Sequence, residues 1–160
     1  MLMMQTKDNI YKKLLERVPT MAPDQSNKTL IIDGTNTFIR VFCNVPTLND
    51  NGDHIGAIIG FLKSIGWLIR KENPNKCIIV FDGSGGSQRR RKLYSEYKGN
   101  RKPTKMNRFN EFKDLIDEDA SKRNQMSRLI SYLSTLPIQL LIIDNIEADD
   151  VIAYLTTLIE

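Results

Sequence analysis

Histidine is all but missing from this 160-residue chain, which has His54 alone, and cysteine occurs only at Cys43 and Cys77. With one imidazole, little can be built of the Ser-His or Cys-His pairing that activates a protein nucleophile. Two cysteines without Cys-x-x-Cys spacing argue against both a disulfide framework and a zinc site. They sit in apolar settings, Val-Phe-Cys and Lys-Cys-Ile-Ile-Val, where a thiol behaves as a small buried hydrophobe. His54 follows the turn-rich Leu-Asn-Asp-Asn-Gly-Asp and is expected on an exposed loop. No apolar run approaches the roughly 20 residues that cross a bilayer, and the N-terminus lacks a signal-peptide apolar segment. The expectation is therefore a cytoplasmic protein with no membrane partner. A hydrophobic content of 41% and a charged content of 26% suit one soluble domain with a real core.

What the chain does have is acid at the ends of aliphatic runs. Residues 138–143 form a short apolar run, Asp144-Asn145 a turn, and Glu147, Asp149 and Asp150 then open a helix-period pattern of Val151, Ile152 and Leu155. One carboxylate at a helix start is ordinary, favoured by roughly 0.3–1 kcal/mol. Three so close together repel one another, and a hard divalent ion is the usual partner of such oxygen-only crowding. The alternative is a cap with solvated surface acids. Two further runs share this build: Thr-Leu-Ile-Ile-Asp at 29–33, followed by Gly-Thr-Asn, and Lys-Cys-Ile-Ile-Val-Phe-Asp at 76–82, followed by Gly. Continuous aliphatics mark strands buried on both faces of a parallel sheet, and functional groups collect where such strands end. The pattern predicts a mostly parallel sheet with right-handed crossovers, bringing Asp33, Asp82, Glu147, Asp149 and Asp150 to one edge. Asp33 has a second reading as the N-cap of a helix over 35–42.

The remaining segments carry less chemistry. Before the first strand, Ile10, Leu14, Leu15 and Val18 make a weak stripe closed by Pro19 and Pro23, which reads as a docking helix or an arm. A helix is expected over 55–71. The Gly-Ser-Gly-Gly-Ser run at 83–87 lacks the Gly-Lys-Ser/Thr of a nucleotide-binding loop and reads as a flexible hinge, with a phosphate nest as the alternative. Helical stripes at 109–116 and 126–136 flank a polar centre at 117–125, as one long helix or two with a bend.

Charge is unevenly spread. From 89 to 108 the basic residues are Arg89, Arg90, Arg91, Lys92, Lys98, Arg101, Lys102, Lys105 and Arg108, against the single acid Glu96, although the whole chain is only +4. Outside that segment acids outnumber bases. A basic segment on an acidic body implies a polyanionic partner held against a cluster that itself binds cations. Tyr94 and Tyr97, set among the cations, suit stacking on a frayed or single-stranded base while Lys and Arg take phosphates.

Four motifs occur in one order: Leu-Ile-Ile-Asp-Gly-Thr-Asn at 30–36, Val-Phe-Asp-Gly at 80–83, Tyr-Lys-Gly-Asn-Arg at 97–101 and Glu-Ala-Asp-Asp at 147–150. In these the chain resembles the flap endonuclease and 5′-nuclease family, especially its phage members and the 5′-nuclease domain of bacterial DNA polymerase I. The resemblance implies a three-layer α/β fold, PIN-like, with 1–28 as an extension, 29–160 as the 5′-3′ exonuclease N-terminal domain and a basic helical arch at about 84–125. It implies a Mg²⁺-dependent or Mn²⁺-dependent nuclease that removes nucleotides or short flaps from DNA or RNA-primer 5′ ends during replication. Asp33, Asp82, Glu147, Asp149 and Asp150 would be metal ligands, direct or through water, and Lys98 and Arg101 the basic pair at the scissile region. Arg89, Arg90, Arg91, Lys92, Tyr94, Tyr97, Lys102, Lys105 and Arg108 would contact nucleic acid. In the family a further strand with paired aspartates and a helix-turn-helix region follow. The expectation is that this C-terminal part of the fold is absent here, leaving a two-metal site incomplete and calling for a separate C-terminal nuclease chain as partner. A PIN-like RNase and a nucleic-acid-binding fragment without turnover are the alternatives.

Overall fold

A computed structural model describes residues 28–97, 104–109 and 112–159, without the side chains of Arg89, Leu93 and Ile159. The elements in order are β1 (Thr29–Asp33), α1 (Gly34–Asn44), α2 (Gly56–Glu72), β2 (Lys76–Asp82), α3 (Gln88–Leu93), α4 (Leu115–Leu133), β3 (Gln139–Ile143) and α5 (Ala148–Ile159). The three aliphatic runs become three parallel strands in the order β1-β2-β3. Register places Asp33 beside Val80 and Asp82 beside Ile143.

Strand alternation then sorts the side chains between two layers of helix. Ile32, Ile79 and Phe81 face a core with Phe38, Phe42, Phe61, Leu129 and Leu133, contributed by α1, α2 and α4. Ile78 and Val80 face Ala148 and Val151 of α5 on the other side. This is the expected three-layer α/β arrangement. Because Asp33 is paired with Val80, and Asp82 lies two residues beyond it, both acids project to the α5 side of the sheet. Among the described residues no helix is long and apolar enough to cross a membrane.

Local chemistry sets the boundaries. Asn73, in the left-handed region at φ 44°, closes α2 by donating its N–H to the Ile69 carbonyl, and Pro74 follows. Residues 115–133 form one continuous helix, so the polar centre is helical. Its start falls later than the stripe at 109–116 suggests, because the Asp114 carboxylate accepts the Ile116 and Asp117 N–H groups and caps the helix there. The described residues of 109–114 are not helical.

Two expectations are corrected. His54 is 6% exposed, far from a free loop position. Its Nε2 lies 2.8 Å from the Val45 carbonyl and its Nδ1 lies 3.1 Å from Gln125 Nε2, with the ring edge-on to Phe42. The carbonyl can only accept, so Nε2 carries the proton; Gln125 is oriented by accepting the Ala57 N–H on its own oxygen. The Gly-rich run, expected as a hinge, is likewise folded into a hydrogen-bonded turn against the β3–α5 connection. Gly83 donates to the Ile146 carbonyl, Asn145 donates to the Ser84 carbonyl, and Ser84 N–H reaches Asp144 Oδ1 at 3.2 Å. Cys43 and Cys77 are half-buried, and burial pushes both thiols up from their usual pKa.

Candidate functional site

The C-terminal edge of the sheet is fastened by the same acids that the sequence singled out. Asp33 ends β1 and accepts the Asn36 N–H at 2.8 Å, so it is the N-cap of α1. The Asp82 N–H donates to Thr35 Oγ1 at 2.8 Å, which ties the end of β2 to the β1–α1 turn. Asp82 Oδ1 in turn accepts the Ala148 N–H at 2.7 Å, so β2 supplies an acceptor to the start of α5. Thr35 is a positioning residue that sequence reasoning missed; its place in Asp-Gly-Thr-Asn was the available signal.

These acids fall into two groups. Asp33, Asp82 and Asp149 are electrostatic neighbours. Burial pushes the Asp33 carboxyl up from its ordinary pKa, the charges of Asp149 and Asp82 push it further, and the Asn36 N–H opposes both. Among the described residues no cation pairs with these three. Glu147, which is 4% exposed, and Asp150 are instead bridged by Arg90 of α3. Arg90 Nη1 is 3.0 Å from Glu147 Oε2 and Nη2 is 2.6 Å from Asp150 Oδ1. Arg90 also donates to the Tyr97 hydroxyl at 2.8 Å, and that hydroxyl donates to Glu147 Oε2 at 3.0 Å. The guanidinium carbon lies 5.5 Å from the Tyr97 ring centre. Hydrogen bonds to Asp150 and Tyr97 hold Arg90 protonated even more firmly than usual.

The other basic and aromatic candidates are spread around this centre. Arg91 and Lys92 are exposed on α3, and Lys105 and Arg108 are exposed beyond it. Tyr94 is exposed, its hydroxyl donating to Glu96 at 3.0 Å, whereas Tyr97 is half-buried against the acids. Lys98, Arg101 and Lys102 lie outside the described residues, as does the Arg89 side chain.

The donor set fits a hard divalent cation: it is carboxylate oxygen throughout, and the upward push on Asp33 from its acidic neighbours is a repulsion such an ion would relieve. Among the described residues, no three His, Cys, Asp or Glu side chains converge as a ready-made ion site. Arg90 engages two of the five acids.

Comparison with known proteins agrees with this architecture. Residues 28–160 match the family model described as 5′-3′ exonuclease, N-terminal resolvase-like domain. The chain is 36% identical over 140 residues to a 5′-3′ exonuclease of Buchnera aphidicola, covering 85% of this chain and 43% of that protein. It is 34% identical over 130 residues to the 5′-3′ exonuclease of Aquifex aeolicus, covering 80% and 40%. A flap endonuclease Xni of a Shewanella species is 35% identical over 130 residues, covering 81% and 42%. The chain thus spans less than half the length of these relatives. Among solved structures, a bacteriophage T5 flap endonuclease in complex with DNA and metal ions superposes with a TM-score of 0.60 at 23% identity, covering 82% of this chain and 44% of that one. At that identity the likeness concerns the fold. With the family model matched over nearly all the described residues, the chain belongs to the 5′-3′ exonuclease family, as its N-terminal resolvase-like domain.

Proposed function

We propose that the chain is the acidic-centre and basic-segment portion of a divalent-metal-dependent 5′-nuclease, which hydrolyses phosphodiester bonds at 5′ ends or flaps of DNA. The observation that carries this is that Asp33 and Asp82 end two paired parallel strands, with the charges of Asp82 and Asp149 acting on Asp33 and the cation-rich α3 docked on Glu147 and Asp150 through Arg90. Asp33, Asp82, Glu147, Asp149 and Asp150 would hold Mg²⁺ or Mn²⁺. When bound, such ions supply a water of lowered pKa and neutralise charge on the attacking and leaving oxygens. The chain's own residues orient the strand: Arg91, Lys92, Lys105 and Arg108 take phosphates, Tyr94 offers a ring for a base, and Lys98 and Arg101 contact the scissile region. In this reading 29–160 is the nuclease N-terminal domain with its arch at about 84–125, acting on DNA or RNA-primer 5′ ends, and a separate C-terminal nuclease chain is a candidate partner.

The test is cleavage of a 5′-labelled flap DNA with Mg²⁺ or Mn²⁺, with and without a C-terminal complement, and with single-stranded RNA in parallel. Metal assistance of several kcal/mol means that Asp82→Asn should lower cleavage by at least about 100-fold. Unchanged cleavage by Asp82→Asn rejects the assigned centre, and preferential cutting of RNA transfers the function to a PIN-like RNase. One observation favours a second reading, nucleic-acid binding without turnover: no three described ligands are pre-assembled. Salt-sensitive DNA binding with no cleavage, even with the complement, would establish it.

A further inference from the structure

The acidic centre contains a cation of the chain's own. Arg90 is 60 residues from Asp150 in sequence, yet its guanidinium spans Glu147 and Asp150, two of the proposed ligands, at 3.0 and 2.6 Å. It sits on α3, a six-residue helix that carries Arg91 and Lys92. Tyr97 stacks on it from further along the same segment and shares the Glu147 oxygen. A divalent ion drawn to either carboxylate is repelled by the guanidinium already bound there, so the two cations compete through their charge.

We propose that Arg90 is a resident counter-ion whose displacement by a divalent cation releases α3 and the basic segment from the acidic centre, so that metal binding and presentation of the basic segment to a polynucleotide are coupled. This rests on the metal-dependent reading above. Before the metal arrives, Arg90 neutralises Glu147 and Asp150 and pins residues 88–97 to the start of α5. Afterwards the same guanidinium, and the Tyr97 ring beneath it, are available to a phosphate and a base. By linkage, a polynucleotide that takes Arg90 also raises the affinity of the centre for the ion.

The experiment measures Mn²⁺ binding to the 160-residue chain by calorimetry, comparing wild type with Arg90→Gln and Arg90→Lys. Hydrogen exchange of residues 88–97 in the wild type is followed with and without Mn²⁺. Removing the competing charge should tighten Mn²⁺ binding roughly fivefold to tenfold in Arg90→Gln, with Arg90→Lys near wild type. Mn²⁺ should also speed exchange across 88–97. Equal or weaker Mn²⁺ binding by Arg90→Gln overturns the coupling, and so does exchange that is unchanged or slowed by the ion. If Arg90→Gln does not fold, the wild-type exchange result decides alone. Binding that is measurable but insensitive to Arg90 rejects only this inference, whereas no Mn²⁺ binding by wild type or variant rejects the metal-dependent function with it.

Discussion

Asp33 does two things that pull in opposite directions. Its carboxylate caps α1 through the Asn36 N–H, and its charge lies near those of Asp82 and Asp149. The folded-state pKa is raised, first by burial and then by these neighbours, so the folded protein holds the proton more tightly than the unfolded chain. Stability of the metal-free protein therefore falls as pH rises from the usual carboxylate range through the raised folded value. Asparagine caps a helix about as well as aspartate but carries no charge. Asp33→Asn should accordingly raise the melting temperature of the metal-free protein at neutral pH and flatten its dependence on pH, while abolishing metal-dependent cleavage. Thermal melts across pH 3–8 (roughly the window in which carboxylates titrate) check the first part, and a lower melting temperature at pH 7 would contradict it. The acids at the strand ends were legible in sequence because an acid after an aliphatic run marks a buried strand reaching solvent. The environment of His54 was not, since its partner Gln125 is 71 residues away and no local pattern announces a tertiary hydrogen bond.

At the scale of elements, the turn after β2 controls how α3 meets α5. Gly83 is packed so closely on the β3–α5 turn that a Cβ there would lie 1.9 Å from the Ile143 carbonyl oxygen and 2.7 Å from the Asp144 nitrogen. Both are backbone atoms and cannot rotate away. Gly83→Ala should cost roughly 1–3 kcal/mol by overpacking, measured by urea denaturation, and should loosen the Arg90 contacts with Glu147 and Asp150. An unaltered unfolding midpoint would show that the turn yields freely. Glycine richness suggested a hinge because composition reports conformational freedom of the free chain, whereas close approach between two turns is a property of the assembled sheet. Strand number, strand order of delivery and parallel direction were readable from the alternation of aliphatic runs with helical stripes. The single helix of 115–133 was not, since its apolar stripe is interrupted by polar residues and its cap, Asp114, resembles any other acid in a charged stretch.

Across the whole molecule, charge is segregated: among the described residues of 89–108, Arg90 meets the acids of the sheet edge, whereas Arg91, Lys92, Lys105 and Arg108 are exposed. Exposed cations that bind phosphate release counterions, so their number can be read from salt dependence. The double substitution Arg91→Gln with Lys92→Gln should flatten the slope of log binding constant against log salt by about 1.5 to 2 for a 5′-tailed DNA. Fluorescence anisotropy at several salt concentrations measures this, and an unchanged slope would remove α3 from the nucleic-acid surface. The fastening of the sheet edge has a consequence for how the protein would report on its own state. Thr35, Asp82 and Ala148 join elements from both faces of the sheet, and one of the bonding oxygens, Asp82 Oδ1, also belongs to the proposed centre. Loading that centre is therefore not a private event of a few side chains: a denaturation curve becomes a titration of occupancy, and an ion at about 100 times its dissociation constant adds about 2.7 kcal/mol, less whatever the surrendered cap of α5 had contributed.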